Sequence, residues 1–345
     1  MVQNKFHKSF RLNNQSFSSI DEIVAFTKSF SQDIYHFLES WFSTSDFITV
    51  QTSGSTGIPK SISLKKDQMV NSALATGVFF NVKAGTKALL CLPVNYIAGK
   101  MMLIRALTLG WHLDIIEPNS TPLKRLSKTY DFTAMVSIQV ENSIDKLNQI
   151  KKIIIGGGAV SNLLQERLQC LNTEVFATYG MTETITHIAV KKLNNLKQNP
   201  NFYEILPNIN IYKDYRNCLV VQASKVSEDI IFTNDVIKLI SDTEFEWLGR
   251  FDNVINSGGI KLYPEKIEEK LSKIIKQRFF VASIPDNVLG QKLVLILEGE
   301  FRNYNLNDIK LTKYEIPKQL FFIEKFVETK TKKIQRKQTL DLINF

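Results

Sequence analysis

The sequence predicts an α/β protein with a large first domain and a small second one. Up to about Ile209, apolar runs typical of strands alternate with segments of helical periodicity, which favours a sheet of largely parallel strands. After Ile209 the pattern changes to short strands separated by turn residues. From Arg250 onward the chain is charged and compact. We therefore expect a large domain at residues 1–249 and a small α+β domain at residues 250–345.

The elements of the first half follow from the spacing of apolar residues. Ile23, Phe26, Phe30 and Ile34 recur at helical spacing and predict one amphipathic helix over residues 20–42. A second helix is predicted over 65–80. The predicted strands are FITVQ (47–51), KALLCLP (87–93), WHLDII (111–116), TAMVSI (133–138), KKIII (151–155) and EVFAT (174–178). Ligands of such a domain collect in the loops at the carboxyl ends of the strands.

The later elements are shorter and are bounded by turn signals. The predicted strands are INIYKD (209–214), CLVVQAS (218–224), DIIFTNDVIKLI (229–240), FEWLGR (245–250), FFVASIP (279–285) and KLVLILEGE (292–300). A glycine turn at Ser257–Gly259 and a proline at position 264 open a helix predicted over 264–277. A lysine-rich tail follows.

Composition excludes several classes of protein. The formal charge of +9 is spread along the chain rather than gathered in one arginine-rich block, so it indicates anionic small ligands and not nucleic acid. Cys91, Cys170 and Cys218 are far apart and lack CxxC spacing, which argues against disulfides and a zinc site and favours the cytoplasm. The apolar stretch 88–111 is interrupted by proline and two basic residues, so we expect no membrane span.

A loop rich in hydroxyls and glycine follows the first predicted strand. TSGSTGIPK (52–60) differs from a P-loop because Pro59 stands where the P-loop has glycine. Proline has no N–H to donate and a fixed φ, so the backbone cannot wrap a phosphate in the same way. The loop can still close over a polyphosphate with its hydroxyls, its amides and the ammonium of Lys60. At this point an ordinary surface loop is the alternative.

Three further segments carry side chains that could bind a ligand or take part in catalysis. TYGMTE (178–183) offers a ring for a purine, hydroxyls for phosphate oxygens and a carboxylate for Mg²⁺, although by itself it is better explained by a core tyrosine and a solvated glutamate. GRFDNVINSGGIKLYPEKIE (249–268) has a Ser-Gly-Gly turn followed by proline and an acidic helix start, which is typical of the first helix of a small domain. KFVETKTKKIQRK (325–337) alone is a solvated basic tail or a nucleic-acid arm.

Together, TSGSTGIPK, YGMTE, GRFDNVINSGG and TKTKKIQR resemble, in this order, the acyl-adenylate-forming superfamily of acyl-CoA synthetases, adenylation domains and luciferases. The resemblance covers Thr52 to Arg336, and the first segment matches every fixed position of the TSGSTGxPK form. It implies a large AMP-binding domain, shortened at its N-terminus, and a small mobile C-terminal domain that rotates about Asp252. It also implies ATP, Mg²⁺ and coenzyme A as a co-substrate.

The resemblance assigns roles to individual positions. The residues implied to hold the β- and γ-phosphates are Thr52, Ser53, Gly54, Ser55, Thr56, Gly57 and Lys60. Those implied to line the adenine and acyl pocket are Gly157, Gly158 and Ala159, with Tyr179 stacked on adenine. Thr182 is implied to touch the α-phosphate and Glu183 to hold magnesium.

Further positions are implied near the ribose and at the end of the chain. Asp235, in FTND where the family has TGD, is implied to bind the ribose, and Arg250 is the second ribose contact. Lys333 is implied to be the catalytic lysine, although Lys332 stands where the family has glycine. Only about fifty residues precede the phosphate loop, so part of the acyl pocket's wall is expected to be missing, and a homodimer is an open option.

The acid is indicated by LPVNYIAGKMMLIRAL and IIIGGGAVS, which resemble the abbreviated o-succinylbenzoate–CoA ligases of menaquinone biosynthesis. Such an acid has two carboxylates, one activated and one only recognised, so its pocket needs a fixed cation. Lys100 and Arg105 are the candidates, with helix residues that snorkel to solvent as the alternative. Tyr96 and His187 are further candidates to line this pocket.

Other functions stay open from the sequence. An adenylating enzyme that loads an aryl acid onto a carrier-protein phosphopantetheine would use the same residues. A nucleotide-binding protein without catalysis is a second alternative, although all the implied ATP-site residues are present. No RNP, KH or zinc-knuckle pattern supports an RNA-binding module.

Overall fold

The computed structural model describes residues 6–51, 61–196, 201–306, 310–329 and 334–343. The helices are α1 Ile20–Lys28, α2 Gln32–Phe42, α3 Lys66–Phe80, α4 Ile97–Leu109, α5 Ser137–Asn142, α6 Asn162–Leu168, α7 Pro264–Leu271 and α8 Arg336–Leu340. Short 3₁₀ turns lie at Ile144–Gln149, Thr182–Thr184 and Phe251–Asn253. None of the helices in these ranges is long and apolar enough to cross a membrane.

The strands form one large sheet, one small sheet and one hairpin. They are β1 Arg11–Leu12, β2 Gln15–Ser16, β3 Phe47–Gln51, β4 Ser61–Lys65, β5 Lys87–Leu90, β6 His112–Ile115, β7 Tyr130–Val136, β8 Ile150–Gly156, β9 Glu174–Gly180, β10 His187–Lys192, β11 Tyr203–Ile205, β12 Asn210–Lys213, β13 Cys218–Gln222, β14 Ile231–Ser241, β15 Glu244–Arg250, β16 Ile255–Ser257, β17 Ile260–Leu262, β18 Phe279–Asp286, β19 Gly290–Glu298 and β20 Gln319–Ile323.

The large sheet has a parallel half and an antiparallel half. Its order is β12-β13-β14-β15-β11-β10-β9-β8-β7-β5-β6-β1-β2. Strands β1, β6, β5, β7, β8 and β9 pair in parallel, as expected for alternating strands and helices. Every pair from β9–β10 to β12–β13 is antiparallel. The change of pattern therefore begins at His187, earlier than the Ile209 that the sequence indicated.

Both faces of the parallel half are buried, because its side chains alternate between two hydrophobic clusters. On β8, Ile154 belongs to the cluster that contains α1 to α4, whereas Ile153 and Ile155 belong to the cluster that contains α5 and α6. On β5, Leu90 and Leu89 divide in the same way. Strands buried on both faces read as continuous apolar runs, which is why IIIG and ALLCL were recognisable in the sequence.

The single helix predicted over residues 20–42 is wrong. The chain forms α1 and α2 instead, separated by Ser29–Ser31. The Ser29 hydroxyl donates to the Phe26 carbonyl at 2.7 Å, and the Ser31 side chain accepts from the backbone N–H of Ile34 as the N-cap of α2. Serines that bond to nearby backbone groups compete with the helix, so the break follows from local hydrogen bonding that apolar periodicity does not report.

The region after Ile255 has its own sheet and its own cores. Strands β16 to β20 form the small sheet, and α7 packs on it. Two hydrophobic clusters are built from residues that begin at Ile255, whereas the clusters of the large sheet extend no further than Phe245 among their fully buried members. The division into residues 1–249 and 250–345 stays a prediction, and these separate cores are the observation in its favour.

Gly99 in α4 provides a test of the packing between that helix and the turn before it. A β-carbon at Gly99 would lie 2.2 Å from the carbonyl oxygen of Pro93, so Gly99→Ala must displace backbone. We expect the free energy of unfolding to fall by about 1–3 kcal/mol, measured by urea denaturation.

Gly77→Ala in α3 is the matched control. Its β-carbon would meet only the tip of the Leu109 side chain, at 2.8 Å, which can move. We expect a change within about 1 kcal/mol, because the better helix propensity of alanine offsets the small adjustment. Equal losses in the two variants would contradict the close approach at Gly99.

Candidate functional site

The carboxyl ends of β8 and β9 bring two predicted segments side by side. Gly157, Gly158 and Ala159 follow the end of β8, and Gly180 ends β9. The two strands pair in parallel, so both loops leave the same edge of the sheet. The Ser137 hydroxyl donates to the Ala159 carbonyl at 3.5 Å and connects the β8 loop to α5. The edge therefore combines a glycine loop with the start of YGMTE.

Gly180 is required by a close approach of two strands. A β-carbon there would lie 2.2 Å from the carbonyl oxygen of Thr186, a contact that real β-carbons do not make. The register between β9 and β10 shifts between His187 and Ala189 at the same place. The glycine of YGMTE therefore allows the following loop to fold back tightly on its own strand.

That loop, residues 181–186, is held in a strained conformation. Ile185 is buried and has φ 67° and ψ −61°, a conformation that is rare for a β-branched residue, and the Thr186 N–H donates to the Thr184 carbonyl across it at 2.7 Å. The buried Thr184 hydroxyl lies 2.9 Å from the Met181 carbonyl and 2.8 Å from the Thr186 carbonyl, so its single proton is shared between the two. These bonds stabilise the turn, as strained backbone at functional sites requires.

The turn presents the two residues that were predicted to face phosphate and metal. Thr182 is half-buried and Glu183 is exposed, and both lie in the 3₁₀ turn at the edge of the sheet. Within the described residues Glu183 has neither a hydrogen bond nor an ion pair. Its carboxylate is thus available to a ligand at the position where YGMTE leaves β9.

The carboxylate of Asp235 is contacted by two of the other predicted residues and by one residue that was not predicted. The Tyr179 hydroxyl donates to Asp235 Oδ2 at 2.6 Å, and Arg250 Nη1 lies 3.5 Å from Oδ1. The indole N–H of Trp247, a residue that the sequence reasoning missed, donates to Oδ1 at 3.0 Å. Burial, followed by the neighbouring Asp235 charge, raises the pKa of Tyr179 far above its ordinary value, so the hydroxyl keeps its proton and stays a donor.

The aromatic surroundings of Tyr179 were also missed. Its ring packs edge-on against Phe245, at 5.3 Å between centroids, and at a tilt against Tyr203, at 5.8 Å. Phe245 and Trp247 both lie in FEWLGR, where the alternation of β15 places them on the same face, but nothing in the sequence pairs either with Tyr179. The stacking of Tyr179 on adenine stays a prediction.

The predicted hinge residue is tied to the same region. The exposed Asp252 accepts from Arg250 Nη2 at 3.4 Å and from Asn234 Nδ2 at 3.3 Å. Asn234 also accepts from Arg216 Nη1 at 2.9 Å. The amide at position 234, where the related motif has glycine, therefore links Asp252 to the strand that carries Asp235. Rotation about Asp252 stays a prediction.

Of the two predicted acid-recognising cations, Arg105 is buried in a polar cluster. Its Nε donates to Thr76 Oγ1 at 3.3 Å, and its Nη2 lies 3.5 Å from Thr186 Oγ1 and 3.4 Å from His187 Nδ1. Burial lowers the pKa of Arg105 to about 9. Burial and the Arg105 charge hold the pKa of His187 well below its ordinary value, so the neutral ring accepts at Nδ1. No carboxylate of the described residues pairs with Arg105.

Lys100 and Tyr96 lie apart from that cluster. The Lys100 ammonium donates to the Val94 carbonyl at 2.7 Å and lies 5.0 Å from the centroid of the Phe37 ring. Tyr96 precedes α4, and its side chain is exposed. Of the two candidates, Arg105 is therefore the buried cation next to the strand end of YGMTE, because His187 pairs directly with Gly180 across β9 and β10.

Several predicted residues lie outside the described residues: Thr52, Ser53, Gly54, Ser55, Thr56, Gly57, Lys60 and Lys333. The chain on either side of them is described. Gln51 and Ser61 are paired at the end of the β3–β4 hairpin, and their side chains are bonded at 3.1 Å. Near the C-terminus, Ile334 bridges to Glu328, and Arg336 pairs with Glu268 of α7 at 2.7 Å. These contacts fix the flanks of both predicted segments.

Of two cavities in the described chain, one lies away from the predicted residues and the other reaches His187. A cleft of about 520 Å³ between α6, β10 and α7 is lined mainly by lysine, glutamate and amide side chains and contains none of the predicted residues. A smaller cavity of about 140 Å³, between α3 and the loop at 206–209, has His187 in its lining. The chemistry of the side chains, not the size of a cavity, therefore identifies the candidate site.

Comparison with known proteins decides the family. The sequence profile described as "AMP-binding enzyme" matches residues 18–212, more than half of the chain. The chain belongs to the AMP-binding enzymes. The matched region contains TSGSTGIPK, the glycine loop after β8 and YGMTE.

Relatives of this AMP-binding enzyme agree with that assignment. The 2-succinylbenzoate–CoA ligase of Bacillus cereus (strain ATCC 10987 / NRS 248) is 23% identical over 89% of this chain and 72% of its own. The ligase of the same name from Geobacillus sp. (strain WCH70) is 24% identical over 90% and 71%. The AMP-binding enzyme described here is accordingly an adenylate-forming acid–thiol ligase that uses ATP.

Solved structures confirm the predicted α/β fold of the AMP-binding enzyme. An acyl-CoA synthetase (AMP-forming)/AMP-acid ligase II-like protein from Dyadobacter fermentans DSM 18053 is 36% identical, with 90% of this chain and 93% of that chain covered and a TM-score of 0.62. O-succinylbenzoate coenzyme A synthetase from Bacillus subtilis, solved in complex with ATP and magnesium ion, has a TM-score of 0.73 at 19% identity, with 95% and 83% covered. The second likeness supports the fold alone.

Proposed function

We propose that the protein converts o-succinylbenzoate to o-succinylbenzoyl-CoA. In the first step a carboxylate oxygen of the acid attacks the α-phosphorus of ATP, which forms the acyl-adenylate and releases pyrophosphate. In the second step the thiol sulfur of coenzyme A, after loss of its proton, attacks the acyl carbon and AMP leaves. The names of the curated relatives and the two-carboxylate chemistry of the acid support this choice within the acid–thiol ligases.

The observation that carries the proposal is the buried guanidinium of Arg105, which has no carboxylate partner among the described residues. Burying a charge without a counter-ion destabilises a fold, so such a group is retained where it has another use. Among the described residues, the partners of the guanidinium are all neutral: Thr76, Thr186 and His187. An incoming carboxylate would supply the missing charge and could accept two N–H groups at once. A dicarboxylic acid has a second carboxylate to offer, whereas a simple acid has only the one that reacts.

Nucleotide recognition is proposed for the residues around Asp235. Oδ2 of its carboxylate would accept from a ribose hydroxyl, with Arg250 as the second ribose contact, and the ring of Tyr179 would lie against adenine. The glycine loop at 157–159 would leave room for the base and the acyl group. Hydroxyls and amides of residues 52–60 would bind the β- and γ-phosphates, with Lys60 supplying positive charge.

Magnesium is proposed to bind at Glu183. This ion is commonly held by one or two carboxylates together with substrate phosphates and water, and Glu183 offers one exposed carboxylate with no partner among the described residues. When bound, the ion would neutralise phosphate charge. Thr182, in the same turn, would donate to an α-phosphate oxygen. Lys333 would stabilise the charge that develops on the α-phosphate, in an arrangement of the small domain reached by rotation about Asp252.

The function is tested by measuring pyrophosphate release and by mass spectrometry of the thioester. We expect ATP consumption to depend on o-succinylbenzoate and to give o-succinylbenzoyl-CoA, with much lower rates for analogues that lack one of the two carboxyl groups. If the acyl-adenylate forms but no thioester with free coenzyme A is found, the result would instead indicate a carrier protein as the acceptor. ATP turnover with none of a broad panel of acids would leave only nucleotide binding.

The role of Arg105 is tested by Arg105→Met, with Lys100→Met as the matched control. We expect the first variant to lower kcat/KM for the dicarboxylate about 10²- to 10³-fold, because it removes a buried charge pair worth about 2–5 kcal/mol. The second should change it less than tenfold, since Lys100 bonds to a carbonyl of its own chain.

The Arg105→Met variant also distinguishes a role in acid recognition from a role in protein stability. Without ligand, Arg105→Met should leave the free energy of unfolding unchanged or raise it, because it removes a buried cation that has no anion in the described structure. A variant that unfolds more easily and loses activity equally towards mono- and dicarboxylic acids would assign Arg105 a structural role only.

The pH dependence of acid binding follows from the pKa of Arg105. Because this pKa is about 9 in the folded protein, against an ordinary value of 12.5, the buried guanidinium loses its proton at a lower pH than an exposed arginine does. The KM for the dicarboxylate should therefore be constant below pH 9 and rise above it, by up to tenfold for each pH unit. The KM for an analogue that lacks the recognised carboxyl group should not follow this rise. Parallel profiles for the two acids would contradict the contact.

A further inference from the structure

The Asp235 carboxylate has most of its hydrogen-bonding capacity occupied by the protein. An ionised carboxylate can accept about four hydrogen bonds. Tyr179 occupies one site on Oδ2, and Trp247 and Arg250 both approach Oδ1. The remaining capacity is therefore on Oδ2. A ligand hydroxyl that donates to Asp235 would therefore bind to Oδ2. The orientation of that oxygen is set by the donors that hold the two sides of the carboxylate.

Trp247 is the donor best suited to set that direction. Arg250 is exposed, lies 3.5 Å from Oδ1 and shares its guanidinium with Asp252, so its hold on the carboxylate is weak. The indole is half-buried, packs against the main core and donates at 3.0 Å from a ring with only two side-chain torsions. Tyr179 fixes the other oxygen at 2.6 Å. Together the two donors prevent rotation of the carboxylate about its own axis.

We propose that Trp247 is a positioning residue that orients Asp235 and thereby sets the preference of the site for ribonucleotides. This inference rests on the proposed contact between Asp235 and the ribose, and it adds a residue that none of the sequence motifs identified. The indole does not touch the nucleotide in this scheme. It acts through the carboxylate, since a misdirected oxygen cannot accept from a ribose hydroxyl at good geometry.

The test is equilibrium binding of AMP and 2′,3′-dideoxy-AMP, measured by isothermal titration calorimetry. The quantity of interest is the ratio of the two dissociation constants, which reports only the contribution of the ribose hydroxyls. We expect Trp247→Phe to reduce the preference for AMP about tenfold and to leave dideoxy-AMP binding nearly unchanged. Asp235→Ala should abolish the preference, and adding Trp247→Phe to it should have no further effect.

Two further variants keep the test independent of folding. Replacement of Trp247 by benzothienylalanine, in which sulfur takes the place of the indole N–H, keeps the shape of the ring and should lose the same preference. Trp111→Phe is the matched control, because the indole nitrogen of Trp111 is buried without a hydrogen-bond partner in the described structure. This control should keep the full ribose preference whatever it does to the melting temperature.

The outcomes are distinct. Trp247 variants that keep the full preference for AMP, or that weaken the binding of both nucleotides equally, would overturn the inference. If Asp235→Ala nevertheless loses the preference, the proposed nucleotide site is still supported. An Asp235→Ala protein that still prefers AMP would overturn the ribose contact itself and the role of Trp247 with it. The acid–thiol ligase reaction would then remain to be judged by its own assay.

Discussion

The carboxylate of Asp235 is the point at which separate parts of the chain depend on one another. Tyr179 reaches it from β9, in the strand that joins the parallel half of the sheet to the antiparallel half, and Trp247 and Arg250 reach it from β15. Arg250 and Asn234 continue the network to Asp252. A buried charge must be hydrogen-bonded to be tolerated, so this carboxylate constrains how the two halves of the sheet meet.

The loop that follows β9 shows how backbone strain is accommodated beside that carboxylate. Gly180 lets the chain fold back against Thr186, and Ile185 adopts its unfavourable φ only because Thr184 bonds to the carbonyls on either side. The exposed Glu183 and the half-buried Thr182 are presented by a turn that is rigid for this reason. Rigid presentation matters for a site in which two anions must be brought together.

Arg105 represents the opposite electrostatic situation. Asp235 is buried with its partners, whereas Arg105 is buried with neutral partners and no anion among the described residues. Each is a buried charge, but only the second lacks its counter-charge within the described protein. Both are bonded to a neighbour of Gly180. Asp235 accepts from Tyr179, which precedes Gly180, and Arg105 donates to His187, which pairs with Gly180 across β9 and β10. A nucleotide site and an acid site would thus share the strand end that carries YGMTE.

The sequence by itself determined the α/β class, the parallel strands and the family, because buried strands read as continuous apolar runs and the phosphate-loop motif depends on local residue order. It named Tyr179, Asp235 and Arg250 from three distant segments. Only the tertiary structure showed that Asp235 meets all three of its donors, that Trp247 is one of them, and that Arg105 rather than Lys100 is the buried cation. Periodicity records which face of an element is apolar, but contacts between side chains far apart in sequence, and local breaks such as Ser29–Ser31, are decided by packing and hydrogen bonding in three dimensions.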